Sequence, residues 1–316
     1  MNRTALLVGA SGFLGRYLGD ACLEKGWSLY GIDPKPPLEL SRWKGFDPSL
    51  LEAVDLAGFL PDGKLDTCFF LGGSASVPLS VQNPLHDFQM LLPGLVRVLS
   101  YLAKHQPGCR LVLYSSAAVY GNPHHLPISE NAKLAPVSPY GVHKALAEEL
   151  LRYYVTLFPI RASILRIFSA YGEGLKKQLF WDVTQKYRQA LFEGGSTFPM
   201  WGTGAESRDF IHGLDVAHAA LAVAEHSRET FQVVNVARGE ECTVADAVKS
   251  LLSQVSPVIT PVFGGEERAG DPLNWRADVT VLKSMGWEPS VNLEDGMKRY
   301  FAWSQKLSAA NEKPSR

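Results

Sequence analysis

Cysteine is scarce in this chain of 316 residues: four are present, Cys22, Cys68, Cys109 and Cys242, and no two form a C-x-x-C pair. No histidine stands at a spacing that would complete a metal site with them. Scattered singletons of this kind argue against a disulfide framework or a zinc module and read as reduced structural residues. Excess charge is also lacking, since 31 Lys+Arg face 32 Asp+Glu. A near-zero balance gives no reason to expect nucleic acid or an anionic membrane as partner, although it leaves room for a local basic pocket. No apolar run is long enough to span a bilayer. Glycines break the first apolar run too early for a signal-peptide core, so a cytoplasmic protein is expected. Internal repeats and low-complexity tracts are absent. What remains, with 46% hydrophobic and 20% charged residues, is the profile of a globular protein. Its length predicts one large or two fused domains.

The first half of the chain alternates strand and helix patterns. Strands are predicted at Thr4–Val8, Ser28–Ile32, Leu51–Asp55, Thr67–Leu71, Arg110–Tyr114 and Ala162–Phe168. Helices are predicted at Phe13–Lys25, Leu85–His105 and Tyr140–Leu157. Continuously apolar strands separated by helices indicate an α/β fold with a parallel sheet covered on both faces. After Ser169 the elements shorten and Gly, Trp and Pro become denser, which marks a second, smaller lobe.

GASGFLG, Gly9 to Gly15, follows the strand Ala5-Leu6-Leu7-Val8 directly. In such a strand-to-helix turn, Gly9 permits the tight bend, Gly12 lets backbone approach a pyrophosphate, and Gly15 lets the helix pack on the strand. The helix start then offers unpaired N–H groups and a positive dipole end to the phosphates. A plain glycine-rich turn accounts for the loop equally well when it is taken alone. Asp33, about 20 residues further at the end of the second strand, suits the hydroxyls of an adenosine ribose and repels a 2′-phosphate. That favours NAD over NADP, a preference that Lys35 tempers. Turn capping before Pro34 is the simpler reading of Asp33 in isolation.

Chemistry is expected at the carboxyl ends of the strands, where Tyr114-Ser-Ser-Ala-Ala-Val-Tyr-Gly121 and Pro139-Tyr-Gly-Val-His-Lys144 occur. Tyr140 and Lys144 lie four apart on a helix and so share a face. A tyrosine titrates near pH ~10, too high for a base at neutrality, unless a nearby cation favours the phenolate. Ser116, at a strand end, could hydrogen-bond the same substrate oxygen. A Y-x-x-x-K pair alone reads as an amphipathic helix face. With a strand-end serine and a glycine loop in this order, the combination is much harder to obtain by accident.

At these residues the chain resembles the extended short-chain dehydrogenase/reductases, and within them the sugar-nucleotide epimerase/dehydratase group. The resemblance extends through Ser74-Ala-Ser-Val-Pro-Leu-Ser80, Leu126-Pro-Ile-Ser-Glu130, Leu165-Arg-Ile-Phe-Ser-Ala-Tyr-Gly172 and Gly202-Thr-Gly-Ala-Glu-Ser-Arg-Asp-Phe-Ile-His212. It continues through Arg268-Ala-Gly-Asp271, Met285-Gly-Trp-Glu-Pro289 and Leu293-Glu-Asp-Gly296, nearly the whole chain. It implies a Rossmann-type doubly wound sheet over residues 1–168, with a return segment near 212–236, and a C-terminal α/β substrate lobe, mainly 169–316.

The resemblance also assigns roles. Gly9, Ser11, Gly12, Phe13, Leu14 and Gly15 would hold the NAD pyrophosphate, Asp33 the adenosine ribose, Asp55-Leu56 the adenine edge, and Leu71 another part of the cofactor. Ser116, Tyr140 and Lys144 would be catalytic, with Tyr140 and Lys144 also touching the nicotinamide end. Ser76, Ser116, Ser169, Gln178 and Leu179 would face the sugar nucleotide, and Arg208 and Arg268 would clamp its diphosphate. A guanidinium fork suits phosphate oxygens, while an ion pair with Asp209 or Asp271 is the plainer account of each arginine. Phe180 and Trp181 read better as packing of the small lobe. UDP is the family-weighted base, and a homodimer through the helices Leu85–His105 and Tyr140–Leu157 is implied.

Four departures stand out. Ala117-Ala118 occupies the place of the acid pair of the family's dehydratases, and alanines can neither protonate a leaving hydroxyl nor abstract a carbon-bound proton. Leu91 and Leu95 replace the usual Asn and Thr, Gly72-Gly73 an Ala pair, and Ser169 an Asn. Epimerisation of a nucleoside-diphosphate sugar, most simply at C4, is therefore expected. A keto-sugar-nucleotide reductase or dehydrogenase, or a non-catalytic nucleotide sensor on the same fold, are the alternatives.

Overall fold

The computed structural model describes residues 3–60, 63–74, 76–253, 255–265 and 273–311. Its first strands and helices are β1 (Thr4–Val8), α1 (Phe13–Glu24), β2 (Ser28–Ile32), β3 (Gly45–Asp47), α2 (Leu56–Phe59), β4 (Thr67–Phe70), α3 (Val77–Gln82), α4 (Pro84–His105), β5 (Arg110–Ser116), α5 (Pro139–Leu157) and β6 (Arg161–Ile167). The later elements are β7 (Ser169–Tyr171), α6 (Gln178–Phe192), β8 (Thr197–Met200), β9 (Ser207–Arg208), β10 (Phe210–His212), α7 (Gly213–His226), β11 (Phe231–Val236), β12 (Cys242–Thr243), α8 (Val244–Leu252), β13 (Thr260–Phe263), α9 (Thr280–Lys283) and α10 (Leu293–Asn311).

Seven strands form one sheet in the order β11-β6-β5-β4-β1-β2-β3, and every pairing is parallel. The chain order reverses between β1 and β4, which opens a crevice beyond their carboxyl ends; ligands of doubly wound sheets bind at such a point. Alternation along the strands feeds two cores. Leu7, Phe69 and Val112 pack under α1 and α7, whereas Leu6, Cys68 and Leu111 pack under α4 and α5. Serine and asparagine side chains start the long helices: Ser138 Oγ accepts the Gly141 N–H at 3.2 Å, and Asn83 Oδ1 accepts the His86 N–H at 3.1 Å. Each is followed by a proline at the first helical position.

One predicted strand is replaced. Leu51–Asp55 contains a 3-10 turn at Leu51–Ala53, and Asp55 caps α2 by accepting the Ala57 N–H at 3.2 Å. The edge strand is Gly45–Asp47 instead. Its Gly45 is required, since a Cβ there would lie 2.8 Å from Tyr30 Cδ1.

The small lobe gathers α6, α8 and α10 around Tyr171, Phe180, Phe198, Phe210 and Tyr300. Phe180 and Trp181 are packing residues: Phe180 is buried against Tyr171 and Phe210, and Trp181 tilts over Trp303 at 6.1 Å. Fully buried Asp209 ties this lobe together. Its carboxylate accepts the N–H groups of Arg238 at 2.9 Å, Gly239 at 3.0 Å and Ala277 at 3.1 Å. Asp209→Asn turns an NH2 donor toward donors. It is expected to destabilise the fold by about 1–3 kcal/mol, the usual cost of an unsatisfied buried group, read as a lower urea midpoint with an unchanged slope.

Candidate active site

The glycine loop lies over the crevice. Gly9 has φ +84° and donates its N–H to Ile32 O at 2.9 Å. A Cβ on Gly15 would stand 2.2 Å from Gly9 O, so only glycine lets α1 start this close to the loop. Gly12 begins α1 with no side-chain cap. The first N–H groups of the helix are thereby left for a ligand, and an anion is the ligand they suit. Asp33 stands beside them. Its Oδ2 accepts the Ser11 N–H at 3.1 Å and its Oδ1 the Lys35 N–H at 3.0 Å. A carboxylate has about four acceptor positions, so capacity remains for a pair of ribose hydroxyls. The Ser11 hydroxyl donates to Lys35 O, which closes the loop on itself. These features fit a dinucleotide: a loop with a positive φ at Gly9 and no room for a Cβ at Gly15, an uncapped helix start and an acid at the end of β2.

Other predicted cofactor residues contribute backbone or packing. Phe13 sets its ring edge-on to Tyr17 at 5.6 Å, and Leu14 packs toward the core under α1. Leu56 is buried against the α4 face, and Asp55 is exposed at the start of α2. Leu71 donates its N–H to Val8 O at 2.9 Å, next to the glycine loop.

At the end of β5, Ser116 meets the first turn of α5. Its Oγ accepts the Ala118 N–H at 3.2 Å, and the side chain acts on the Tyr140 phenol in favour of the phenolate. Lys144 Nζ lies 5.8 Å from the Tyr140 ring centre and donates to Tyr114 O at 2.8 Å. Burial pushes the Tyr140 phenol up to about 12 against the Ser116 hydrogen bond, with Asp87 adding to the rise. Burial lowers the Lys144 ammonium to about 8, opposed by Asp87 and Glu148. Three predicted residues thus stand together, an arrangement suited to proton transfer at a hydroxyl brought between Ser116 and Tyr140.

Sequence reasoning missed the charges behind that group. Glu148, four residues past Lys144 on α5, makes a buried fork with Arg166 of β6, with Nη2 to Oε2 at 2.7 Å. Arg166 Nη1 also donates to Tyr120 Oη at 3.0 Å. Asp87 of α4 lies 2.6 Å from His143 Nδ1. The only sequence signals were a glutamate one turn beyond Lys144 and a histidine within the Y-x-x-x-K stretch.

The predicted substrate residues lie on several elements. Ser76 caps α3 through the Leu79 N–H at 3.4 Å. Ser169 starts β7 and donates its N–H to Asp209 O at 3.0 Å. Gln178 is exposed at the start of α6 with φ +68°, and Leu179 is half-buried against the small-lobe core. Arg208, half-buried on β9, donates to Ser207 O at 2.8 Å and Leu273 O at 3.2 Å, and its guanidinium lies 5.8 Å from the Trp275 ring. The Asp209 carboxylate is engaged by backbone N–H groups, and Arg268 and Asp271 lie outside the described residues. Among the described residues there is no cluster that could hold a metal and no helix long and apolar enough to cross a membrane.

The phenol at about 12 yields a prediction. A pyridinium cation close to Tyr140 favours the phenolate, so loading with NAD is expected to lower the tyrosinate midpoint relative to the cofactor-free protein. The measurement is a near-ultraviolet pH titration with Tyr140→Phe as the blank. An unchanged midpoint would place the nicotinamide ring away from Tyr140.

Comparison with known proteins supplies the family. The profile of the NAD dependent epimerase/dehydratase family matches residues 5–237. The uncharacterized UDP-glucose epimerase YtcB of Bacillus subtilis is 30% identical over 96% of this chain and 98% of its own. A UDP-glucose 4-epimerase of Mycolicibacterium smegmatis is 28% identical over 93% and 96%. Among solved structures, UDP-glucuronic acid 4-epimerase from Bacillus cereus, in complex with UDP-glucuronic acid and NAD, superposes with a TM-score of 0.85 at 25% identity, covering 96% of this chain and 99% of that one. With the glycine cradle, Asp33 and the Ser116–Tyr140–Lys144 group in place, the chain belongs to the NAD-dependent epimerase/dehydratase family.

Proposed function

We propose that the protein is an NAD-dependent epimerase acting at C4 of a UDP-sugar. The observation that carries this reading is the Ser116–Tyr140–Lys144 group with Ala117 and Ala118 beside it. Proton transfer to and from one hydroxyl is provided for, and no acid–base pair for dehydration follows Ser116. The names of the relatives, UDP-glucose and UDP-glucuronic acid 4-epimerases, support the same reaction.

In this reading residues 1–168, with the return segment 212–236, hold the cofactor, and most of the remainder holds the sugar nucleotide. NAD supplies a reversible acceptor for the hydrogen on the sugar's C4. Tyr140 takes the proton of the 4-hydroxyl, and Ser116 hydrogen-bonds the same oxygen. Lys144 stabilises the phenolate and anchors the nicotinamide ribose. Arg208 and Arg268 hold the diphosphate, while the sugar, free to turn about it, presents its second face. The proton then returns from Tyr140, so no separate acid is needed.

Purified protein is expected to interconvert the C4 epimers of a UDP-sugar without added reductant. General base assistance contributes about 10²–10⁴ in rate, so Tyr140→Phe should lose at least that much turnover and keep NAD. Stoichiometric consumption of NADH with a keto-sugar nucleotide would replace epimerase by reductase.

The assembly belongs to the same proposal. Leu85 and Phe88 on α4, and Val142, Leu146, Tyr153 and Leu157 on α5, are exposed. On α5 they repeat at helical spacing and form one apolar stripe. Two copies pairing their α4 and α5 helices would cover it, as in the family's four-helix bundle. Light scattering is expected to give a dimer mass, and Leu146→Lys a monomer; a monomeric wild type would refute the assignment.

A further inference from the structure

One buried carboxylate near the site has no part in the chemistry above. Asp87, on α4, is 4% exposed. Its Oδ2 lies 2.6 Å from His143 Nδ1, and its Oδ1 accepts the Ser74 hydroxyl. His143 sits within the catalytic turn of α5, three residues past Tyr140 and adjacent to Lys144, and Phe88 holds its ring edge-on at 5.6 Å. The carboxylate therefore joins three elements: the loop beyond β4, α4, and the turn carrying Tyr140 and Lys144. A negative charge buried this deeply requires compensation.

Few charges surround it. Helix α5 contributes Tyr140, His143, Lys144 and Glu148. Helix α4 contributes Asp87 and, pointing to solvent, His86. Helix α3, packed against both, carries no charged residue. Strand β5 contributes the hydroxyls of Tyr114, Ser115 and Ser116. On β6, Arg166 is committed to Glu148. Lys144 is thus a cation with one anion shared with an arginine, and a second, Asp87, whose other partners are an imidazole and a hydroxyl.

We propose that the Asp87–His143 pair is a positioning element of this site: its carboxylate is the fixed negative charge that keeps buried Lys144 a cation, and its contact with Ser74 holds the loop beyond β4 against the catalytic turn. The proposal rests on the roles given to Tyr140 and Lys144 above. A negative charge favours an ammonium and opposes a phenolate, so it raises the titration midpoint of both groups. Asp87 acts on Tyr140 and Lys144 in this sense. Removing that charge must therefore move both midpoints down together, which loss of packing alone does not do.

Asp87→Asn keeps the shape and removes the charge. In the NAD-loaded protein the tyrosinate midpoint, blanked with Tyr140→Phe/Asp87→Asn, is expected to fall by about half a pH unit or more, as for a charge close by in a buried site. The alkaline limb of turnover, where Lys144 loses its proton, should move down with it, and Asp87→Glu should restore both. Ser74→Ala should leave the tyrosinate midpoint in place and raise KM for the sugar nucleotide several-fold. A titration of Asp87→Asn that superimposes on wild type, or moves up, overturns the electrostatic role; an unchanged KM in Ser74→Ala overturns the loop role. Should Asp87→Asn fail to fold, Asp87→Ser removes the same charge and is read identically. If the wild type turned over no UDP-sugar, the epimerase reading would fall, while the tyrosinate titration would still decide the role of Asp87.

Discussion

A lysine ammonium held out of water is the constraint around which this site is built. Lys144 is 5% exposed, and its ammonium donates to the backbone oxygen of Tyr114. An isolated buried cation loses its proton rather than bear the desolvation. Two carboxylates, Asp87 and Glu148, work against that loss. Each brings its own compensation, His143 for one and Arg166 for the other. The arrangement then propagates: Arg166 reaches Tyr120, Tyr120 donates to Asn235 Oδ1 at 2.6 Å, and Asn235 binds Ile128 O and Asp278 O. A chain of hydrogen bonds that starts at the carboxylate of Glu148 thereby links β6, β11 and the loops beyond β5.

The glycine-loop side is governed by space rather than charge. Gly15 permits the start of α1 to lie on the glycine loop, and a Cβ on Gly9 would come within 3.2 Å of the Leu71 backbone. The departure at Gly72-Gly73 has a steric counterpart. Gly73 has φ +113°, and a Cβ on it would sit 3.2 Å from Leu91 Cδ1. Leu91 is 2% exposed, in the core under α4. The glycine and the leucine fit one another: a side chain at position 73 would press on the buried leucine.

What was legible in the sequence is what is local. A glycine spacing, an acid at a strand end and a tyrosine four residues before a lysine each declare themselves within a few residues, because one turn or one helix face sets their geometry. The strand-helix alternation was legible for the same reason. Leu51–Asp55 misled because its apolar residues, Leu51 and Val54, belong to a 3-10 turn that packs inward before Asp55 caps α2. The true edge strand, Gly45–Asp47, needs a partner on one side only and carries little apolar signal. Asp87 and His143 are 56 residues apart, and Glu148 meets Arg166 only because α5 folds back onto β6. Such pairs have no spacing to read.

The two halves of the molecule meet through a similar long-range cluster. Tyr17, on α1 just past the glycine loop, donates to Glu173 Oε2 at 2.8 Å, and His212 Nε2 lies 2.9 Å from the same oxygen. His212 Nδ1 accepts the Leu214 N–H at 3.2 Å, which leaves Nε2 to donate to Glu173. Burial opposes the charge on Glu173, but the hydrogen bonds from His212 and Tyr17 outweigh it and bring the carboxyl down to about 2. A Cβ on Gly172 would lie 2.8 Å from Tyr17 Oη, and one on Gly213 2.6 Å from the Tyr17 ring, so the chain on both sides is shaped to admit this tyrosine. Helix α1, which starts at the glycine loop, is thus fastened by an ionised carboxylate to the segment that leads into α6. The glycine loop's helix and the start of the small lobe are held in one register by this buried cluster.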